Sequence, residues 1–571
     1  MLTQGIIPML IEKPKQLTFS LIRERTFMLS FMLMLLFSAC QTDTIYIYPE
    51  NFDFNSVYET VPLGTFVNGS GDGDRLSKSS KIVSVPYIIM LPYQGVDMMA
   101  KLPEGYEAKA VTGTTSKLGS YNYWKGNMEP FDIPSAHTIF RLQFRKADNS
   151  DLSASTVTDL VSSGDITVLY KRIDLNVVER NYENEKYVKA ACYKLGWDSS
   201  QNPTNQGLHA MPIFAHISDV HGDFKRLENC IEYANALGVD AIINTGDNVL
   251  YDSKDEATFQ VDVLRKYRNI PYITCIGNHE VYTRQNGAEG KVTSEELIDR
   301  FITPYVTQYS YMKAAESKTD NAFYYVDFGS RKIRVIVLNQ YDNACYWGAG
   351  CGGRLGQEQV TWFCNTLLNT PEEYGVIVVL HSPEDRIDTP EEFSSWNQTV
   401  NYDGRNEDTD GYAVEGLYTN SIRPIEQIID AFISRKQLCI AFQENTRQGN
   451  NGEDVAVNID FSSLAKGVEF LCYMSGHRHK DNIGYLHRAE NRQLMLNIVC
   501  GNPYYATGGG LAFSEGCDLP RGDRGLTQDA FNIYAIDRQD GCVRIARVGS
   551  SVSFEGIHRD FLIAPYRNES N

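Results

Sequence analysis

One event recurs through the second half of this chain and limits what it can fold into: an apolar run of strand length stops, and metal-competent residues follow. MPIFAHI (211–217) leads into SDVHGD with Asp219 and His221, VDAIINTGD (239–247) closes on Asp247, and PYITCIGN (271–278) closes on Asn278, with His279 and Glu280 next. GVIVVLH (375–381) closes on His381, and VEFLCYMSG (468–476) runs into His477 and His479. Between the first three runs lie DFKRLENCIEYANAL and ATFQVDVLRKY, whose apolar residues recur three and four apart as in helices, with Gly238 ending the first. Strand, helix, strand in succession predicts a parallel sheet, whose strand carboxyl ends share the edge where ligands bind. Residues two apart at a strand end are expected on one face, which would suit Asp219 with His221 and His477 with His479.

A single histidine after a valine run is ordinarily a packed core residue, and a single aspartate after glycine a turn or helix cap. His137, His209, His216, His487 and His558 take that reading. The other five of the ten histidines fall on the recurring pattern, which packing does not explain and a metal site does. A carboxylate has two oxygens and can bridge two cations, while imidazoles are neutral donors that leave the site positive enough to attract phosphate.

In order, DxH, GD, GNH with an acidic residue after it, H and GHxH resemble the calcineurin-like metallophosphoesterase family over residues 211 to about 550. The resemblance implies a four-layer αββα sandwich of class α/β with two divalent metal ions (Mn, Fe or Zn) bridged by an aspartate and a hydroxide. It implies that Asp219, His221, Asp247 and His479 hold one ion and that Asp247, Asn278, His381 and His477 hold the other. His279 stands where the family places the residue that stabilises the transition state or protonates the leaving oxygen, and Glu280 is expected to orient its imidazole. The Ser/Thr phosphatase branch supports that histidine with an aspartate three residues beyond the GD aspartate; this chain has Leu250 there. Tyr251 is one residue late for the metal-binding tyrosine of the purple acid phosphatase branch, so no iron-tyrosinate site is expected. The implied reaction is hydrolysis of a phosphate mono- or diester by the bridging hydroxide. The alternative is a surface binding protein whose phosphoesterase-like half is a metal-stabilised scaffold.

The 571 residues exceed one hydrophobic core, and three segments are expected: 1–40 as an export signal, 41–205 as a smaller β-rich, sandwich-like domain, and 206–571 as the metal-binding domain. TFMLSFMLMLLFSAC (26–40) follows Arg23 and Arg25, is too short to span a membrane, and ends like a bacterial lipobox, which makes Cys40 the expected lipidation site. The expected location is therefore the cell envelope, lipid-anchored on the periplasmic or outer-membrane face, with membrane contact through the anchor only. Residues 41–205 alternate polar and apolar in short runs, and WDSSQNPTNQG (197–207) reads as the linker. VNGSGDGDR (67–75) lacks the ligand spacing of a calcium loop and reads as a turn.

With 53 Lys+Arg against 72 Asp+Glu, the net charge of −19 disfavours a nucleic-acid duplex and anionic membrane surfaces as partners; the resemblance implies a small phosphorylated substrate. The oligomeric state is not legible. Cys345 and Cys351 flank a Gly-rich loop that could close a disulfide; most other cysteines lie in apolar runs as small buried hydrophobes. Asn248 and Tyr251 could border the substrate by spacing; Asn397, Tyr402 and Arg405 lie on a long polar loop that reads as solvated, with substrate contact as the alternative.

Overall fold

The computed structural model describes residues 58–171, 211–281, 296–302, 322–340, 355–393, 423–443, 454–502, 529–549 and 561–567, with short breaks inside several of these stretches. Outside them lie the export segment with Cys40, the linker at 197–207, Cys345 and Cys351, Tyr251, and Asn397, Tyr402 and Arg405.

The alternation of strand and helix read from the sequence builds two facing sheets. Strands β1 (Ile213–Ile217), β2 (Ala241–Asn244) and β3 (Tyr272–Thr274) pair in parallel. The chain then crosses to a second sheet of β4 (Tyr324–Phe328), β5 (Ile333–Val337), β6 (Gly375–Val379), β7 (Ile387–Asp388), β8 (Glu469–Ser475), β9 (Asn482–Leu486) and β10 (Leu494–Asn497). Its spatial order is β4-β5-β6-β8-β10-β9-β7, with β5, β6, β8 and β10 parallel neighbours. The chain returns through β11 (Ala530–Asp537), β12 (Cys542–Gly549) and β13 (Phe561–Pro565), completing the first sheet as β3-β2-β1-β11-β12-β13.

The pleat divides the second sheet between two cores. Val335, Val337, Ile377 and Val379 face the first sheet, while Ile336, Val376 and Val378 face away, into a cluster with helices α3 (Gln357–Leu368) and α4 (Pro424–Ser434). Helices α1 (Phe224–Leu237) and α2 (Lys254–Tyr267) belong with the first sheet, and α1 packs on β1 and β2. The layers run helix, sheet, sheet, helix, as the α/β sandwich reading requires. Asp223 caps the start of α1 by accepting from the Arg226 N–H at 3.1 Å, and Gly238 ends it at φ 66°, a conformation that costs glycine little. No helix among the described residues is long and apolar enough to cross a membrane.

Residues 58–171 are strand-rich. Val67–Ser70, Ser77–Ser84, Ile139–Lys146, Tyr106–Thr114 and Lys117–Gly119 form one antiparallel sheet, with Ile89–Met90 added beside Ile139–Lys146. Tyr58–Thr60, Thr167–Lys171 and Met98–Lys101 form another. Part of the stretch read as a turn at 67–75 is thus a strand, paired with Ser77–Ser84 through a register shift at Asn68/Gly69. This β module lies within the same compact unit as the sandwich, Phe54–Asn571. Tyr87 stacks on Phe259 of α2 at 5.2 Å, and Lys225 of α1 pairs with Glu59 at 3.1 Å.

Candidate metal centre

All seven side chains assigned to metal binding meet at the carboxyl ends of β1, β2, β3, β6 and β8. Asp219, His221, Asp247 and His479 bring one ligand atom each into one group, and Asp247, His381 and His477 do so in a second. Asn278 joins the second group through Oδ1, 2.9 Å from His381 Nε2 and 3.0 Å from His477 Nδ1.

The pleat does not place the paired ligands. β1 ends at Ile217 and β8 at Ser475, so Asp219, His221, His477 and His479 all lie beyond the last strand residue. They are placed by left-handed backbone instead, with φ of 51°, 46°, 66° and 53°, and Asp247 has φ 54°. These five are among eleven non-glycine residues with positive φ in the described chain, so backbone strain is concentrated where the ligands are. Main-chain bonds between loops hold it there: Asp219 N–H donates to Gly246 O at 3.0 Å, His221 N–H to Asp247 O at 2.9 Å, and Gly501 N–H to Ser218 O at 2.7 Å.

The glycine before each of three ligands has a steric reason. A Cβ on Gly277 would land on the Asp247 carboxylate, one on Gly246 would sit 2.7 Å from His381 Nδ1, and one on Gly476 would overlap Ser218 and Asp219. Asn278 and His279 begin a single helical turn, Asn278–Val281. His279 N–H donates to Asp247 Oδ1 at 2.8 Å, and the His279 ring lies edge-on to His221 with centroids 4.4 Å apart.

Two carbonyls set the imidazole tautomers. His381 Nδ1 donates to Thr245 O and His279 Nδ1 to Leu250 O, both at 2.7 Å, because a carbonyl only accepts. Leu250, which has no side-chain acceptor to offer, therefore supports the His279 ring from its main chain. Glu280 departs from expectation. Its carboxylate accepts from the main-chain N–H of Gly277 at 2.7 Å, Asp247 at 2.9 Å and Val249 at 3.2 Å, and from that of Asn248. It clamps the Asp247 turn, while the carbonyl of Leu250 orients the His279 imidazole. Burial, then the Asp247 charge, push the Glu280 carboxyl up to about 7, with the N–H bonds pulling the other way.

The donor set fits cations. His381 Nε2, Asn278 Oδ1 and His477 Nδ1 form a triangle with sides of 2.9, 3.0 and 3.1 Å. In the other group His221 Nε2 is 3.1 Å from His479 Nε2, which is 3.2 Å from Asp219 Oδ1. Donors bound to one ion at ~2.0 to 2.1 Å are separated by roughly 3.0 to 3.4 Å along an edge of the coordination shell. With the His381 Nδ1 proton committed to Thr245, the neutral ring points a lone pair at the Asn278 carbonyl oxygen, a contact that only a proton or a cation relieves. Burial would lower the His381 pKa, but the Asp247 and Asp219 charges raise it to about 10. Burial, then the His381 charge, lower His477 to about 3. Burial, then His279, hold His221 well below its ordinary value. Burial works against ionisation of Asp219 and Asp247, yet the surrounding histidines keep both carboxylates below their usual range. Anionic carboxylates with two of the imidazoles held neutral suit a divalent ion.

Several supporting residues carried no signal of their own in the sequence. Cys500, Gly501 and Asn502 follow β10 and brace the first loop: Cys500 Sγ donates to Asp219 O at 3.0 Å and Asn502 N–H to the same oxygen at 3.2 Å. Cys500 Sγ also lies within 4.8 Å of the His221 and His479 nitrogens. The cue was available, since LMLNIVCGN is one more apolar run ending at a polar group. His216 keeps its structural reading, buried between Tyr534 OH at 2.9 Å and Thr245 Oγ1 at 3.1 Å. Asn248 is also buried, with its side chain bonded to Asn244, Tyr272 and Thr274, so it borders no substrate space. A groove along α3, lined by Tyr325, Arg334 and Trp362, is a separate feature; there Arg334 already serves Asp327 and the carbonyls of Thr366 and Asn369.

No curated protein matches the chain. Among solved structures, it is similar to a dimetal phosphatase from Danio rerio, with 11% identity and a TM-score of 0.36, covering 62% of this chain and 99% of that one. It is also similar to a purple acid phosphatase from seeds of yellow lupin, Lupinus luteus, with 10% identity and a TM-score of 0.34, covering 88% of this chain and 73% of that one. Residues 213–412, which carry every ligand from Asp219 to His381, match the calcineurin-like phosphoesterase family.

Proposed function

We propose that this centre hydrolyses a phosphate mono- or diester of a small molecule with the help of two divalent cations. The observation that carries the reading is Asp247: one buried carboxylate shared by two donor groups drawn from five strand ends. Bound there, the cations would supply Lewis acidity to the phosphoryl oxygens and lower the pKa of a water. Asp219 and Asp247 lie buried beneath the half-buried Asn278, His279, His477 and His479, so an ester approaches from the imidazole side. In the reaction, water oxygen forms a new bond to phosphorus as the ester P–O bond breaks. The departing oxygen takes a proton from Nε2 of a protonated His279, whose Nδ1 stays on Leu250 O; the proton lost by the water restores the histidine.

The test pairs 4-nitrophenyl phosphate and bis(4-nitrophenyl) phosphate with elemental analysis of the purified protein. Metal-dependent turnover of either ester, abolished in Asp247→Asn, supports the reading. Bound metal with no turnover across a wider ester panel would favour the binding-scaffold alternative. Attachment to the cell envelope through Cys40 belongs to the same proposal and rests on residues 26–40. Labelling with a radioactive fatty acid, lost in Cys40→Ser, checks it.

A further inference from the structure

We propose that the N-terminal β module is part of the catalytic apparatus: it seats the Leu250 side chain, and the Leu250 carbonyl in turn fixes the imidazole of His279. This rests on the phosphoesterase reading and adds a positioning residue and a role for residues 58–171.

Two hydrogen bonds hold His279 from different sides. Its main-chain N–H is on Asp247, inside the metal centre, and its ring is on Leu250 O, outside it. The second point decides which nitrogen faces substrate and in what direction. The Leu250 carbonyl belongs to the turn after Asp247, and that turn is gripped from two sides. Glu280 takes the N–H groups of Asp247, Asn248 and Val249. On the other side the Leu250 side chain, 3% exposed, enters a small apolar cluster whose other members are Ile88, Met90, Val111, Leu118 and Ile139. All five come from the β module, from the strands Ile89–Met90, Tyr106–Thr114, Lys117–Gly119 and Ile139–Lys146 or, for Ile88, the residue before the first of these. No other residue of the sandwich belongs to that cluster among the described residues. The module also meets α2, outside that cluster, through Tyr87 stacked on Phe259, and Tyr87 OH is itself fixed by Gly64 N–H at 2.9 Å.

A carbonyl orients an imidazole only as well as its own peptide is placed. The placement comes from a leucine in a socket built by chain more than a hundred residues upstream. An off-target shift of about 1 Å in a reacting group costs on the order of 10²-fold in rate. The socket therefore bears on turnover while lying outside the metal ligands.

The test uses the full metal-loaded chain and two esters, one leaving as 4-nitrophenolate and one as a simple alkoxide that needs a proton to leave. Leu250→Ala is expected to lower kcat on the alkyl ester about 10- to 100-fold, with little change in KM or bound metal, and to lower it less on the nitrophenyl ester. Leu250→Met, which refills the socket, restores the rate. In a His279→Ala background, Leu250→Ala is expected to cause no further loss, because both changes remove the same interaction. Met90→Ala, made from the module side, gives the same non-additivity and serves if Leu250→Ala does not fold. Losses that multiply with His279→Ala, equal losses on both esters, or loss of metal would overturn the inference while leaving the phosphoesterase reading in place. A wild-type chain that binds metal and hydrolyses neither ester overturns both.

Discussion

The candidate metal ligands and His279 share a site but are anchored differently. The loops carrying Asp219, His221 and Asp247 are tied by main-chain bonds that continue past the strand ends, and glycines at 246, 277 and 476 let backbone and carboxylates touch. His279 is half-buried, sits on one helical turn, and has its ring fixed by a carbonyl whose residue is packed into another part of the molecule. The difference teaches that the donor groups and the His279 imidazole are held by different contacts, which meet at Asp247 and Glu280.

The sharpest way to break that comparison is Asp247→Asn. Removing the one charge common to both donor groups is expected to reduce ester hydrolysis to background and to lower the bound metal measured by elemental analysis; full metal content would undo the shared-carboxylate argument. His279→Ala should do the opposite, keeping the metal and losing about 10²- to 10⁴-fold in kcat. If metal is lost as well, the two anchoring schemes are not separate. Glu280→Gln tests the residue that joins them. An amide offers one acceptor oxygen where a carboxylate serves four N–H groups. It is expected to cost about 1–3 kcal/mol of stability, read by denaturant unfolding, together with part of the metal and part of the rate. Lys225→Ala, which removes a half-buried pair with Glu59 at the seam between module and sandwich, should shift stability by no more than about 1 kcal/mol and leave kcat alone. A large effect on kcat would show that the module acts through more than the Leu250 socket.

Much of the sandwich was legible because its strands are short apolar runs with chemistry at their ends, and the residues that gather in the two donor groups followed from where the runs stop. The manner of presentation was not. A DxH or HxH pair suggests the pleat, but Ile217 and Ser475 are the last strand residues and left-handed turns do the placing, which no side-chain pattern announces. Glu280 misled by adjacency: next to His279 in sequence, it turns to the backbone of the Asp247 loop. The residue at 250 looked like a missing aspartate because a side chain was sought where a carbonyl serves. The strand-rich character of residues 58–171 could be read, but the use made of them could not, since Ile88 to Ile139 meet Leu250 only once the chain has folded.

The centre draws on distant parts of one polypeptide: the nitrogens of His221 and His479 approach to 3.1 Å across 258 residues of sequence. A growing chain thus cannot complete either donor group until His477 and His479 have been made. Any cation held there would be loaded late, and the one acquired would be set by what is abundant where folding finishes.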